Sequence, residues 1–192
     1  GDYLRVGNCI YRFLAGGNVE AEYHEEIYRL TIIDALTDIH NTRYLLEWLD
    51  RELSRSARYH RPLSLIMFDL DKFKNVNDDL GHLGGDFTLR EVAACVKGHV
   101  RKEELFARYG GEEFLIVLPE TTQEGGLVVA ERVRIQVEKH TFQYEGKSYF
   151  VTVSVGVAST SGEALITPND LIGQADEKLF KAKDEGRNRV IA

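Results

Sequence analysis

The chain has 192 residues, enough for one well-packed domain of common size plus a segment of a few dozen residues. No stretch approaches the roughly 18 consecutive apolar residues that a membrane-spanning helix needs. A formal charge of −7 argues against broad nucleic-acid binding, which needs many Lys and Arg to displace counterions from phosphates, but not against a single nucleotide, which needs only a few local cations. The two cysteines, Cys9 and Cys95, lie far apart without metal-type spacing, and no signal-peptide pattern opens the chain, so a reducing, cytoplasmic setting is the expectation. Glycine at position 1 and a single methionine, Met67, suggest a piece of a longer protein.

Residues 1–14 read as two short strands turning at Gly7 and Asn8, with Leu4 and Val6 on one side and Ile10 and Tyr11 beginning the other. A lone hairpin is marginal in water, so residues 1–17 are expected to be the last hairpin of an upstream β-domain; they distantly resemble the end of a forkhead-associated (FHA) sandwich. Residues 18–33 form a linker, helical from about 19, with Tyr23, Ile27 and Leu30 on one seam. Two readings stand there: a helix laid against its own domain, or a short dimerising segment. Residues 34–192 form the main domain. Its first helix carries Leu45, Leu49 and Leu53 as a stripe, with Trp48 and Glu52 at the margin, Asp38 or Asn41 as cap and Pro62 beyond its end.

Leu63–Leu70 is a nearly continuous apolar run, as in a strand buried on both faces, and its end is where an acid is placed to act. Asp69 and Asp71 lie two apart and share a side if the strand continues that far. Phe73, Val76 and Leu80 make one helical stripe, and Lys74, Asn77 and Asp78 a polar face suited to a ligand. That helix is expected to stop near Gly81, with a glycine-bearing loop, GHLGG, leading to another helix from about Asp86 to Gly98. Strands are expected over Leu105–Tyr109, Phe114–Leu118, Phe142–Tyr144 and Tyr149–Ala158, with an edge strand at Val190 and Ile191. Helices are expected over Thr122–Lys139 and from Pro168 to about Glu185. This order implies an α+β, ferredoxin-like fold, a mostly antiparallel central sheet flanked by helices.

In Arg108–Leu118, RYGGEEFLIVL, two glycines permit a tight turn that delivers Glu112 and Glu113 onto an apolar strand. Such a hairpin suits a divalent cation held against a polyphosphate, because magnesium takes hard oxygen ligands and few carboxylates. For Gly-Gly-Glu-Glu alone a plain hairpin with solvated acids is the favoured reading, since glycine turns and acidic pairs are common.

Taken together, DALTDIHNTRY, FDLDKFKNVNDDLGHLGGDF, RYGGEEF and KDEGRNRV resemble the diguanylate cyclase (GGDEF) family, here in a GGEEF variant, over residues 34–191. Thr42 stands where the family's entry motif has its first arginine. The resemblance implies a polymerase-palm-like fold and a nucleotidyltransferase that condenses two GTP into cyclic di-GMP and two pyrophosphates. It further implies Mg²⁺ or Mn²⁺ on Asp69, Glu112 and the Leu70 carbonyl, with Glu113 as a base or second ligand. Asn77 and Asp86 would read guanine, an amide serving its carbonyl and a carboxylate its N1/N2 donors, and aspartate at 86 favours GTP over ATP. Lys74, Lys183, Arg187 and the amides near Lys72 and Phe73 would hold phosphates. The family's product-inhibition motif, R-x-x-D, reads here from Arg101 to Glu104, with Arg132 in the following helix as a second cation. Catalysis is expected in a face-to-face homodimer, because two 3′-hydroxyls must meet opposing α-phosphates, under an upstream sensory or regulatory domain. The alternatives are a non-catalytic module that binds cyclic di-GMP or GTP, and a cyclase that accepts ATP.

Overall fold

The structure, a computed structural model, describes residues 3–6, 9–12 and 27–192. Strands β1 (Tyr3–Val6) and β2 (Cys9–Arg12) pair antiparallel, with Tyr3 opposite Arg12. The expected turn at Gly7 and Asn8 and most of the linker helix, Tyr23 included, lie outside the described residues; residues 27–32 are helical.

The main domain is a five-stranded sheet in the order β4-β5-β3-β8-β9, formed by β3 (Leu63–Leu70), β4 (Leu105–Gly110), β5 (Glu113–Pro119), β8 (Val153–Thr160) and β9 (Val190–Ile191). Neighbours run antiparallel except β8 with β9, which are parallel. Every residue of β3 is buried, as an apolar run between two packed layers requires. Side chains alternate across a strand. Ile66, Phe68 and Leu70 therefore join a core with α2 (Phe73–Lys97) and α3 (Gln123–Lys139), and Leu65 and Met67 join another with α1 (Thr42–Tyr59) and α4 (Pro168–Asp184). Asn41 caps α1, its side chain accepting from the Tyr44 amide, and Thr167 with Asp170 closes α4 in a capping box.

Two boundaries differ from the sequence reading. The first helix stops at Gly81 (φ 72°, ψ 172°) as expected, but GHLGG is not a loop: the second helix begins directly after Gly81 and not near Asp86, and α2 comprises the two segments across this kink. The close packing of its two halves leaves no slack for a loop. The strand expected over Tyr149–Ala158 is two strands: β7 (Lys147–Tyr149) pairs only with β6 (Phe142–Tyr144), while β8 pairs with β3. At the start of β8 the Thr152 carbonyl accepts from the Asp71 amide at 2.8 Å, one position beyond the Leu70–Val153 pair in the register of β3 with β8. Among the described residues no helix is long and apolar enough to cross a membrane.

β8 meets α4 at Gly156, where a Cβ would lie 2.5 Å from the Leu179 amide nitrogen and closer still to the Ala175 carbonyl. Gly156→Ala must push α4, and with it Lys183, off the sheet. We expect it to lower stability by about 1–3 kcal/mol or more in thermal unfolding. Gly98→Ala, where a Cβ meets nothing within 4 Å, should be close to neutral.

Candidate active site

β3 delivers Asp69 to the end of the sheet, where the residue is buried at 6 % exposure. Register places Asp69 opposite Glu113 of β5 and Ser154 of β8. A shift in pairing between Arg108 and Gly110 and a positive φ at Gly111 (52°) make the tight turn, so Glu112 and Glu113 emerge half-buried beside β3. From α4, Lys183 Nζ reaches Asp69 Oδ2 at 2.9 Å. Burial pushes the Asp69 carboxyl up to about 6; Lys183 opposes this, and Glu112 and Glu113 add to it. The Glu113 carboxyl is raised as well, by burial first, against the pull of Lys183 and with the repulsion of Asp176 and Glu112.

Three carboxylates thus share one ammonium in a half-buried setting, an arrangement that a further cation would relieve. Among the described residues no three His, Cys, Asp or Glu side chains converge on one ion position. A set of two carboxylates and one carbonyl, with the remaining positions left to oxygens of another molecule, fits that count.

The turn is braced from behind. Arg108 donates through Nε and Nη2 to the Gly111 carbonyl at 3.0 and 2.7 Å, and through Nη1 to the Asp34 carboxylate at 3.3 Å. Asp34 also accepts from the Thr37 amide and hydroxyl at 2.9 and 2.7 Å. The Thr42 hydroxyl lies against the carbonyls of Arg108 and Tyr109. Sequence reasoning missed Asp34, Arg108 and Thr42 in this part, and the only signal was that Thr42 departs from the family's entry motif. Asp71 does not share the duty of Asp69, because β3 ends at Leu70. Buried in its turn, it accepts from the Thr152 and Ser154 hydroxyls at 2.7 and 2.6 Å and from the Asn188 amide at 3.1 Å.

The kink in α2 brings Asn77 against the second half of the helix. A Cβ on Gly85 would overlap the Asn77 carboxamide and lie 3.2 Å from Phe73 Cζ. Only glycine allows this approach, so Asn77 and the adjoining Asp86, both half-buried, sit together although nine positions separate them. Lys74 is exposed on the same polar side, and Phe73 is buried. Lys72 (φ 56°) starts the helix without a side-chain cap and, with Arg187, lines a cavity of about 690 Å³ that none of Asp69, Lys74, Asn77, Asp86 or Lys183 lines. At the far end of the domain, Glu104 Oε2 accepts from the Arg101 amide at 2.8 Å while the Arg101 side chain stays exposed. Arg132 donates to the His99 carbonyl at 3.2 Å.

Residues 31–189 match the family described as diguanylate cyclase, GGDEF domain. The response regulator PleD of Caulobacter vibrioides is 41 % identical over 84 % of this chain and 36 % of its own length. The diguanylate cyclase DosC of Escherichia coli is 40 % identical over 97 % of this chain and 40 % of its own. The chain thus spans less than half of these relatives. Among solved structures, the coiled coil and GGDEF domain of DgcB from Caulobacter crescentus, in complex with c-di-GMP, superposes with a TM-score of 0.84 at 28 % identity, covering 90 % of this chain and 91 % of that one.

A carboxyl raised by burial binds its proton more tightly folded than unfolded, so its ionisation costs stability as pH rises from the unfolded value through about 6. In metal-free solution Asp69→Asn should therefore raise the unfolding free energy at pH 8, by up to about 3 kcal/mol at roughly 1.4 kcal/mol per pKa unit. The gain should vanish near pH 4. Denaturant titration at both pH values measures it, and a gain independent of pH would contradict the assignment.

Proposed function

The chain belongs to the diguanylate cyclase GGDEF-domain family, and from that premise we propose that it condenses two GTP into cyclic di-GMP and two pyrophosphates. The observation that carries this reading is the convergence of Asp69, Glu112, Glu113 and Lys183 at one end of β3. We assign a divalent cation, Mg²⁺ or Mn²⁺, to Asp69, Glu112 and the Leu70 carbonyl. When bound, it lowers the pKa of a ribose 3′-hydroxyl and neutralises charge at the α-phosphate.

The chain's own groups do the rest. Asn77 and Asp86 take the guanine edge, amide to carbonyl and carboxylate to the N1/N2 donors. Lys74, Lys183, Arg187 and the amides at Lys72 and Phe73 hold the triphosphate, and Lys183 exchanges its bond with Asp69 for a phosphate oxygen. Glu113, whose raised pKa suits it to keep a proton, accepts the one released by the 3′-oxygen. That oxygen bonds to the facing α-phosphorus as the bond to pyrophosphate breaks, and the step repeats in the opposite sense to close the ring. One protomer offers one such site, so two copies must meet face to face. The GTP pool places this reaction in the cytoplasm. Arg101 and Arg132, with the Glu104 carboxylate held against the Arg101 backbone, form the product-inhibition site, and an upstream regulatory domain governs the encounter.

Glu112→Gln should reduce cyclic di-GMP formation from GTP and Mg²⁺ by about 10³-fold or more while the unfolding temperature holds, as removal of a metal ligand demands. Near-normal turnover would overturn the metal assignment, and no product from the wild type, even as a forced dimer, would overturn the activity. Arg101→Ala combined with Arg132→Ala should leave turnover unchanged at low product and sustain it at high product. An unchanged inhibition curve would remove the inhibition site.

A further inference from the structure

The cavity of about 690 Å³ lies on the side of α2 that carries Asn75, Val76, Asp79 and Leu80, away from the side of Lys74 and Asn77. We propose that it is a second ligand site, for an aromatic phosphate of mononucleotide size. Three cations line it, Lys72, Lys147 and Arg187. Among the described residues their head groups make no hydrogen bond or ion pair, whereas Arg43, Arg61, Arg108, Arg134, Lys183 and Arg189 all reach carboxylates. Two acids line the same cavity, Asp79 and Asp71, the latter turned to two hydroxyls and one amide, so the three cations outnumber the acids by one. The field inside therefore favours an anion.

The lining also offers apolar surface. Val76, Leu80 and Tyr149 supply it, with Phe150, which is 67 % exposed. An exposed ring beside unpaired cations matches a ligand with a flat ring and a phosphate, since every base offers a π-face for stacking. The cation side is built rather than incidental. Gly186, Arg187 and Asn188 run in succession at positive φ (114°, 67° and 46°), a costly backbone for the latter two. Buried Asp71 holds that turn through the Asn188 amide, and the Asn188 side chain is gripped by Arg134 at 2.7 Å and Glu138 at 2.6 Å. Lys72 and Arg187 also serve the triphosphate in the function proposed above, so an occupant that engages them raises the KM for GTP. That consequence rests on that reading, whereas the binding itself does not.

Calorimetric titration of the whole chain with AMP, which carries no pyrophosphate to release, tests the site, with inorganic phosphate as control. AMP should bind saturably at one per chain and about tenfold tighter than phosphate, the scale of one base stacked on one ring. Lys147→Glu should abolish AMP binding and Phe150→Ala should weaken it about tenfold, both variants keeping the wild-type unfolding temperature and GTP turnover without AMP. AMP should raise the KM for GTP in the wild type and not in Lys147→Glu. Binding of AMP no tighter than phosphate, or unaltered in both variants, would overturn the proposal. Absence of GTP turnover with AMP binding intact would strike the cyclase reading and leave this site standing.

Discussion

The site depends on the register between β3 and β5. Asp69 and Glu113 are opposed only because seven consecutive pairs, from Leu63 with Pro119 onwards, hold the two strands in step. A slip of one residue would turn every side chain of β3 to the other face, exchanging Ile66 and Phe68 for Leu65 and Met67 in their cores. Both faces of β3 are buried, so neither core could accept the exchange. The apolar strand thus sets the positions of the carboxylates: the cost of mispacking the sheet is what keeps Asp69 beside the Gly-Gly turn.

Placing acids at the end of a buried strand carries an electrostatic cost, which the raised pKa values of Asp69 and Glu113 record. Lys183 offsets part of it from α4, a helix placed by Gly156 closely enough against β8 to bring that side chain within 2.9 Å of Asp69. The remaining excess of negative charge is the physical ground for proposing a divalent cation there. Asp71, two residues on, follows the opposite course. It accepts from two hydroxyls and one amide, and so fixes the turn at Arg187 and Asn188 against the start of α2. Two aspartates on one short run thus divide into one carboxyl left at the candidate site with a raised pKa and one fastener.

Much of this was legible in the sequence where a pattern has a single physical meaning. A nearly continuous apolar run, six of the eight residues Leu63–Leu70, calls for a strand between two layers, and β3 is one; the stripe of Leu45, Leu49 and Leu53 calls for one buried helical face, and α1 has it. The candidate residues were readable through the joint motifs, each of them short and local. What escaped depends on contacts between distant positions. GHLGG reads as a loop because glycines usually punctuate. Here Gly85 instead lets two helical segments touch, which only the packing of Asn77 reveals. The break between β7 and β8 is invisible in an alternating stretch, because it follows from the two strands having different partners, β6 for one and β3 for the other. Lys183 reads as a phosphate cation, and nothing local says that it rests on Asp69.

The brace behind the Gly-Gly turn shows how the entry to the domain bears on its chemistry. Asn41 joins two helices at one residue: its side chain accepts from the Tyr44 amide at the start of α1 and donates to the Thr31 carbonyl at the end of the helical residues 27–32. Seven positions earlier, Asp34 holds Arg108, which in turn holds the Gly111 carbonyl. His40 bridges Ala107 in the strand leading into the same turn, and Thr42 lies on the carbonyls of Arg108 and Tyr109. A rotation of the helix end by a fraction of a turn cannot be absorbed at Asn41 without uncapping α1, a loss of about 1 kcal/mol. Nor can it be absorbed at Asp34 without leaving a half-buried Arg108 short of its carboxylate. The same contacts end at the turn itself: Arg108 holds the Gly111 carbonyl, next to Glu112 and Glu113, so the helical residues 27–32 and the Gly-Gly turn are tied to one another through Asn41, Asp34 and Arg108.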